Sequence, residues 1–226
     1  MSILNTYHIL CLLLWIFITS CEKNIPSDRI FFGGQIVNPS STYVTLYKDN
    51  KTIDSLTLNN NYRFFKYYDS LESGIYKIEH IPEYKSVFLE KGDSIWVRIN
   101  ASSFDESIVF SGRGAAKNNF MMNLLLRFEV ENTFLSSKYS SNAKAFSMLI
   151  DSLLIEKKNK WILMDSINQL TPIAQKITQA AYIYPYATRK ERYALLRGTL
   201  WNLSLIHISE PTRLLSISYA VFCVKK

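Results

Sequence analysis

The sequence predicts an all-β domain, a sandwich or a barrel-like form, followed by an α-helical connector, and three observations carry that prediction. Residues 29–111 contain some eight short segments in which apolar and polar residues alternate, about ten residues apart. Clusters of Asn, Asp, Gly and Pro separate these segments, as turns do in antiparallel sheets. From residue 112 onward the apolar residues recur at helical spacing instead. The change of pattern places the domain boundary within residues 90–120.

The predicted strands end at recognisable turn signals. The first strand, 29–37, contains Gly33 and Gly34, which indicate a bulge or a close backbone approach, and Asn38-Pro39 ends it. The other strands are predicted at 42–47, 51–58, 62–67, 75–78, 84–89, 94–99 and 104–110. Their alternation indicates that each sheet buries one face and exposes the other to solvent.

The connector is predicted to hold amphipathic helices. Two apolar stripes indicate the first two helices: Phe120, Met121, Leu124, Leu125 and Phe128, and then Phe146, Leu149, Ile150, Leu153 and Leu154. Thr171 and Pro172 predict an N-cap followed by proline at the first helical position. Pro185 is predicted to interrupt that third helix, because proline removes a helical hydrogen bond. Thr188 and Glu191 fit a capping box that would open a last helix.

Composition and charge exclude several classes of protein. The chain has 226 residues, of which 48% are hydrophobic, with only 7 Gly and 6 Pro, and this composition argues against disorder. The formal net charge of +7 is spread along the chain without a long basic block, which argues against a nucleic-acid-binding protein. The run Lys157-Lys158-Asn159-Lys160 is predicted to be the solvated end of a helix or a loop.

The first residues resemble a bacterial lipoprotein signal. Residues 9–18 form an apolar run of ten residues, too short to cross a bilayer core of about 30 Å. The run ends in Ile18-Thr19-Ser20-Cys21, which resembles a lipobox, so we expect cleavage between Ser20 and Cys21 and lipidation of Cys21. Residues 1–20 are then a signal peptide and residues 21–28 a tether. Residues 1–7 carry no Lys or Arg, which leaves an uncleaved N-terminal anchor as the alternative.

No group of residues has the pattern of a catalytic, metal or cofactor site. Asp105 and Glu106 are predicted on a strand, where neighbouring side chains point to opposite faces and cannot act as an acid–base pair. His80 has no Cys or His at metal-ligand spacing, so a structural or surface role is favoured. The many Tyr and Phe residues are expected to fill core and cross-strand positions more than to form a binding platform.

Five tripeptides read Asp-Ser followed by an aliphatic residue. They begin at Asp54, Asp69, Asp93, Asp151 and Asp165. The pattern resembles the O-glycosylation signal of some Gram-negative anaerobes and their relatives. Turn and cap chemistry is the alternative explanation, because Asp and Ser are common in both.

Two further motifs carry a resemblance to a known family. They are Leu89-Glu90-Lys91-Gly92-Asp93-Ser94, and Phe110-Ser111-Gly112-Arg113-Gly114-Ala115 with Lys117-Asn118-Asn119-Phe120. Together with the lipobox they resemble the N-terminal region of the TlpA-type thiol-disulfide oxidoreductase lipoproteins of the Bacteroidetes, over roughly residues 18–200. The resemblance implies a structural role, and no catalytic one, for the motif residues Gly92, Asp93, Gly112, Gly114, Asn118 and Asn119.

The same resemblance implies that a domain is missing. In that family the β domain and the helical connector precede a thioredoxin-like domain whose Cys-x-x-Cys pair performs the redox chemistry. This sequence contains only Cys11, Cys21 and Cys223, with no Cys-x-x-Cys, so no residue inherits that activity and no disulfide is predicted. Residues 203–213 resemble the in-frame translation of a transposon-end sequencing adapter. We therefore expect residues 203–226, including His207 and Cys223, to be a library artefact.

Two functional hypotheses follow. In the first, the β domain (29–111) and the connector (112–202) are a non-catalytic accessory unit of an oxidoreductase, held at the periplasmic side of the outer membrane through Cys21 and offered to an envelope protein partner. The second is an envelope binding module that captures a glycan or a peptide through an exposed cluster among Tyr43, Tyr47, Tyr62, Tyr67 and Tyr68. A purely structural domain with the helices as its partner surface is a third reading. None involves a cofactor, a metal or nucleic acid.

Overall fold

The computed structural model describes residues 28–201, and the first half of this region consists of eight strands. They are β1 (Ile30–Val37), β2 (Tyr43–Lys48), β3 (Lys51–Thr57), β4 (Arg63–Tyr68), β5 (Gly74–His80), β6 (Glu83–Leu89), β7 (Ser94–Asn100) and β8 (Val109–Arg113). Each strand overlaps one of the segments predicted from alternation. The predicted Ser20 and Cys21 processing site and the adapter-like residues 203–226 lie outside the described residues.

The strands form two four-stranded sheets that share one core. The first sheet has the order β4-β1-β7-β8 and the second the order β3-β2-β5-β6. Apolar side chains of both sheets form a single buried cluster, to which β1 contributes Ile30 and Phe32, β2 contributes Leu46, and β7 contributes Ile95 and Val97. The sheets do not close into a barrel, so the barrel-like form of the prediction is wrong. The broader prediction of a β domain followed by helices is confirmed.

The prediction of purely antiparallel sheets is also wrong, because one strand pair is parallel. β1 lies between β4 and β7, and its pairing with β7 is parallel, with Phe31 opposite Ser94 and Ile36 opposite Ile99. Five other strand pairs in the described region are antiparallel. A parallel pair needs a long connection, and here strands β2 to β6 supply it, four of them from the second sheet and β4 from the first. Alternation within a strand does not specify its partner, so the sequence pattern could not reveal this pair.

The predicted strand 104–110 is wrong in its first half. Asn100 accepts a hydrogen bond from the backbone N–H of Ser102 (3.2 Å) and opens a 3-10 turn. A single helical turn, α1 (Phe104–Ser107), follows, and only then does β8 begin. The local bond of the Asn100 side chain competes with the extended ladder. Asp105 therefore does not face away from Glu106 across a strand, and it pairs with Lys85 Nζ at 2.8 Å.

Three long helices complete the described region. They are α2 (Ala115–Ser136), α3 (Ala143–Asn168) and α4 (Pro172–Trp201), with a 3-10 turn at Ser137–Ser140 between the first two. Both predicted apolar stripes face buried clusters, with Phe120 and Leu124 in one of them and Phe146 and Ile150 in another. None of the helices within residues 28–201 is long and apolar enough to cross a membrane.

The third helix differs from the prediction because it passes through its proline. Thr171 caps the helix as predicted, since its Oγ1 accepts from the backbone N–H of Ala174 at 3.2 Å. Pro185 lies inside α4 and neither ends it nor allows a second start at Thr188. The neighbouring Tyr182 and Tyr186 are buried among residues of α2 and α3. Such packing offsets the roughly 3 kcal/mol that an internal proline costs.

Candidate functional site

The motif residues meet where the β domain joins the helices, in a group that we call the β–helix joint: Glu90, Asp93, Lys117, Asn118 and Asn119. Glu90 and Asp93 flank the turn between β6 and β7, whereas the other three lie in the first turns of α2, directly after β8. Glu90, Asp93, Lys117 and Asn118 are all buried. The sequence resemblance found this group, but only the structure shows what its members contact.

Asn118 and Asn119 fasten α2 to one strand of each sheet. The Asn118 amide accepts from the backbone N–H of Phe88 (2.7 Å) and donates to the Phe88 carbonyl (2.9 Å). Asn119 makes the same pair of hydrogen bonds with the backbone of Phe110, at 2.9 and 2.8 Å. Phe88 belongs to β6 and Phe110 to β8, which are edge strands of different sheets. Two adjacent side chains therefore satisfy backbone groups that an edge strand leaves unpaired.

Lys117 carries a buried ammonium group between two carboxylates. Its side chain is 1% exposed, and its Nζ lies 2.5 Å from Glu90 Oε1 and 2.8 Å from Asp93 Oδ1. Thr171, the N-cap of α4, donates its hydroxyl to Glu90 Oε2 at 2.5 Å, and Asp93 Oδ2 accepts from the backbone N–H of Glu90 at 2.9 Å. The group thus joins the β6–β7 turn, α2 and the start of α4. Its ionic atoms are occupied by each other, which suits a structural role.

Two motif glycines are required by this geometry. Gly112 and Gly114 have φ angles of +92° and +89°, which side-chain-bearing residues rarely adopt. A Cβ atom at Gly112 would lie 2.1 Å from the carbonyl oxygen of Ser94, and one at Gly114 would lie 2.0 Å from Asp93 Oδ1. Gly92, with a φ of +85°, forms the turn whose carbonyl accepts from Arg113 Nε. The implied structural role of these glycines therefore has a steric basis.

The joint should make the stability of the protein depend on pH. Burial raises the pKa of Asp93 from 3.8 to about 6, and the attraction of Lys117 only partly opposes this. The folded state binds the Asp93 proton more tightly than the unfolded state does. This proton therefore adds to the free energy of unfolding in full below about pH 4, and its contribution is lost as pH rises through about 6. A group with this shift changes the free energy of unfolding by up to about 3 kcal/mol. Urea unfolding between pH 4.5 and 7.5 should show this decline.

The matched variant for that measurement is Asp93→Asn, which removes the titrating proton and keeps the side-chain shape. Its unfolding free energy should be flatter than that of the parent protein over the same pH range. The prediction fails if the two profiles have the same slope between pH 5 and 7, because Asp93 would then not be the titrating group.

A second buried network connects the three helices. Glu131 on α2 accepts from Lys157 Nζ (2.7 Å) on α3, and from the hydroxyl of Tyr186 (2.7 Å) and Arg189 Nη1 (3.3 Å) on α4. Burial, and next the hydrogen bond to Glu131, raises the pKa of Tyr186 above its usual range. The run 157–160 lies in the middle of α3, so the predicted helix end or loop is wrong. Its other three residues are exposed as predicted, but Lys157 is only 2% exposed. The burial of Lys157 could not be predicted, because the sequence does not show which of three neighbouring lysines faces a buried carboxylate.

His80 has the structural role that was favoured. It is buried, and its Nε2 accepts from the backbone N–H of Ser40 at 3.0 Å, while Nδ1 lies 3.0 Å from the carbonyl oxygen of Tyr43. Both ring nitrogens are thus occupied by the backbone of the segment that leads into β2. Within residues 28–201, no group of three or more His, Cys, Asp or Glu side chains could hold a metal ion.

The aspartates of the Asp-Ser tripeptides all have partners within the fold. Asp54 pairs with Lys66, Asp69 with Arg29, Asp93 with Lys117, Asp151 with Lys190, and Asp165 accepts from Gln175. Four of these contacts are ion pairs and one is a side-chain hydrogen bond. Asp93 also takes part in turn chemistry, the alternative to a modification signal, because its Oδ2 accepts from the backbone N–H of Glu90. Glycosylation of the neighbouring serines stays a prediction.

The solvent face of the first sheet carries several aromatic residues. We call this surface the outer aromatic face, and it consists of the outward side chains of three rows across β4, β1, β7 and β8. The rows are Tyr67, Phe31, Ser94 and Arg113; Phe65, Gly33, Trp96 and Ser111; and Arg63, Gln35, Arg98 and Val109. Phe65 and Tyr67 are each 60% exposed. Phe31 and Tyr67 are opposite each other on β1 and β4, which agrees with the expected cross-strand pairing, but Phe65 and Tyr67 lie outside the core.

The five tyrosines named for a binding surface do not form one cluster. Tyr68 is buried, and its hydroxyl donates to Asp54 at 3.0 Å. Tyr43 and Tyr47 lie on β2 of the second sheet, whereas Tyr67 belongs to the outer aromatic face. Tyr62 is exposed at the turn before β4. Tyr67 therefore shares a surface with Phe65, whereas Tyr47 and Tyr84 of the second sheet flank Lys77, whose Nζ lies 4.2 and 5.0 Å from their ring centroids.

Comparisons of the chain with protein-family models, with curated proteins and with solved structures each found no match.

Proposed function

We propose that this chain is a non-catalytic accessory unit of an envelope thiol-disulfide oxidoreductase, anchored to the membrane through Cys21, whose redox domain is absent from this sequence. The observation that carries the proposal is the β–helix joint. The polar groups of the residues that match the family motif form hydrogen bonds and ion pairs that hold α2 on both sheets. A unit joined in this way is suited to hold a following domain in a fixed position, and the finer description of the β domain as a sandwich belongs to the same proposal.

An exposed apolar row on α3 supports a docking role. Met148, Ile155 and Ile162 recur every seven residues and are each about half exposed or more. Residues at this spacing lie on one side of a helix. Apolar side chains in such a row are a favourable surface for another domain or subunit. In the proposed function this row receives the redox domain or an envelope partner.

Independent sequencing of the locus tests the proposal directly. Reads from an adapter-free library across codon 202 are expected to leave the frame of residues 203–226 and to continue into a domain with a Cys-x-x-Cys pair. The longer protein should then reduce insulin disulfides, and the purified 226-residue chain should not exceed the rate of the reductant alone. A genomic frame that encodes residues 203–226 and stops, or insulin turnover by the chain itself, would contradict the accessory function.

A second function is favoured by the outer aromatic face, namely an envelope binding module. Phe65 and Tyr67 lie on the solvent face of the first sheet with Phe31 and Trp96 beside them, and the side chains of Phe65 and Tyr67 are largely open to solvent. Exposed clusters of large aromatic residues on a soluble domain often mark interaction sites. If the locus does encode residues 203–226 and stop, this second function becomes the leading one.

A further inference from the structure

We propose that the outer aromatic face binds an acidic polysaccharide, with the sugar units packed along the aromatic rings and their carboxylates paired with arginine. This inference rests on the second function above, because it names the ligand class of the same surface. It is independent of whether a redox domain follows the chain.

The rings form a short line across the strands. The centroid of Phe31 lies 6.5 Å from that of Phe65 on one side and 6.5 Å from that of Trp96 on the other. The ring planes are close to parallel, at 27° and 10° respectively. Gly33 makes this possible, since a Cβ there would lie 3.2 Å from Phe31 Cζ and 2.7 Å from Phe65 Cβ. Similar ring orientations in a line suit a linear polymer of similar units.

The charges of the same surface select an anionic ligand. The twelve outward residues include Arg63, Arg98 and Arg113, and none is Asp or Glu. Arg113 Nε donates to the Gly92 carbonyl, but neither Arg63 nor Arg98 forms an ion pair with any carboxylate in residues 28–201. Arg63 lies 6.0 Å from the ring centroid of Trp96. Guanidinium groups beside the ring line are placed to bind carboxylates in a bidentate manner.

The polar residues between the rings favour a glycan over other anionic polymers. Gln35, Ser94 and Ser111 lie within the same rows. Gln35 Nε2 donates to the Asn61 carbonyl and the Ser111 hydroxyl to the Trp96 carbonyl, but their side-chain oxygens and the Ser94 hydroxyl are placed to accept from sugar hydroxyls. The apolar C–H face of a sugar ring packs on an aromatic ring, whose face is electronegative. Nucleic acid, whose bases also stack on aromatic rings, is the rival ligand, and the test includes a single-stranded oligonucleotide for that reason. A peptide would more readily add to a sheet edge than to a sheet face.

The test is affinity electrophoresis of the full chain, in a non-ionic detergent, through gels that contain polygalacturonate or neutral dextran. Polygalacturonate should retard the chain and dextran should not. The double variant Phe65→Ser with Tyr67→Ser should raise the dissociation constant about tenfold or more, and Arg98→Gln about threefold to tenfold. These side chains are exposed, so the variants should keep the fold, which circular dichroism and the unfolding midpoint will verify.

The control variants are Val130→Ser and Lys158→Gln, which remove an apolar and a cationic side chain at exposed positions of the helices and should leave the retardation unchanged. Equal retardation by dextran, or retention of polygalacturonate binding in the face variants, would overturn the proposal. If dextran or a peptide library binds through this face and polygalacturonate does not, only the ligand class is wrong. If anionic vesicles or a single-stranded oligonucleotide bind there more tightly than polygalacturonate, the proposed ligand class is also wrong. If nothing binds through the face, the binding-module function fails with it.

Discussion

Replacing Lys117 with methionine is expected to lower the free energy of unfolding by about 3–5 kcal/mol. The substitution leaves Glu90 and Asp93 as two carboxylates in a buried site without their shared cation. Methionine has nearly the same length as lysine, so the loss reflects charge more than a cavity. Chemical denaturation at pH 7 measures the effect, and acid should reduce it, because protonation of Asp93 removes one of the two unpaired charges.

Lys160→Met is the matched control for that experiment. Lys160 lies on α3, is about half exposed, and pairs with Glu156 across one helical turn. Exposed pairs of this kind contribute about 0.3–0.5 kcal/mol. Adding Glu90→Gln and Asp93→Asn to Lys117→Met should restore part of the lost stability, since it removes the unpaired charges. If the two lysine substitutions lower the free energy of unfolding equally, the ion pairs of Lys117 do not stabilise the joint as expected.

The second large effect is expected for Gly114→Ala, at about 3 kcal/mol or more in the free energy of unfolding. One part of this cost is the left-handed backbone, with its φ of +89°. The other part is steric, because the new methyl group would lie 2.0 Å from Asp93 Oδ1 and push this carboxylate away from Lys117. A single methyl group would therefore break the ion pair that holds α2 on the β domain. Denaturant unfolding at pH 7 measures the total.

Gly74→Ala provides the comparison, because its added Cβ would meet nothing closer than Lys48 Cε at 3.8 Å. We expect a change within about 1 kcal/mol there. The steric part of the Gly114 effect can be separated with Asp93→Ala, since the double variant should cost less than the sum of the two single variants. Strictly additive costs would mean that the contact between Gly114 and Asp93 contributes nothing to the effect.

These variants also bear on the proposed function. A redox domain that follows α4 can keep a fixed position relative to the β domain only if the joint is rigid. Thr171, at the start of α4, bonds to the same Glu90 that pairs with Lys117, so disturbance of the joint reaches both α2 and α4. In the proposed function, substitutions in the joint should therefore change the position of the helices relative to the β domain, although the joint itself contains no reacting group.

Local sequence patterns could predict the elements but not all of their limits. Strand positions such as 42–47 follow from side-chain alternation, and the start of α4 follows from Thr171 and Pro172, because both signals act between residues close in the chain. The patterns failed where packing overrides a local preference. Pro185 was predicted to end a helix that passes through it, and Lys157 was predicted in solvent although it reaches Glu131.

The joint and the outer aromatic face could likewise be predicted only in part from the sequence. Gly112, Gly114, Asn118 and Asn119 stand out in the sequence as a motif, yet nothing local shows that the two asparagines bind different sheets. The outer aromatic face was missed because its members come from four strands. Phe31 and Phe65 alternate correctly within their own strands, and only strand order and register bring their rings together.

By itself, the sequence determined a β-rich first half, a helical second half and the segment in which one pattern replaces the other, because these follow from periodicity and from turn signals within a few residues. Tertiary structure alone decided the parallel β1–β7 pair, the burial of Lys117 and Lys157, the continuity of α4 and the outer aromatic face. The physical reason is the same in each case. These features depend on the free energy of burial and on ion pairs between residues far apart in the chain, about which local periodicity carries no information.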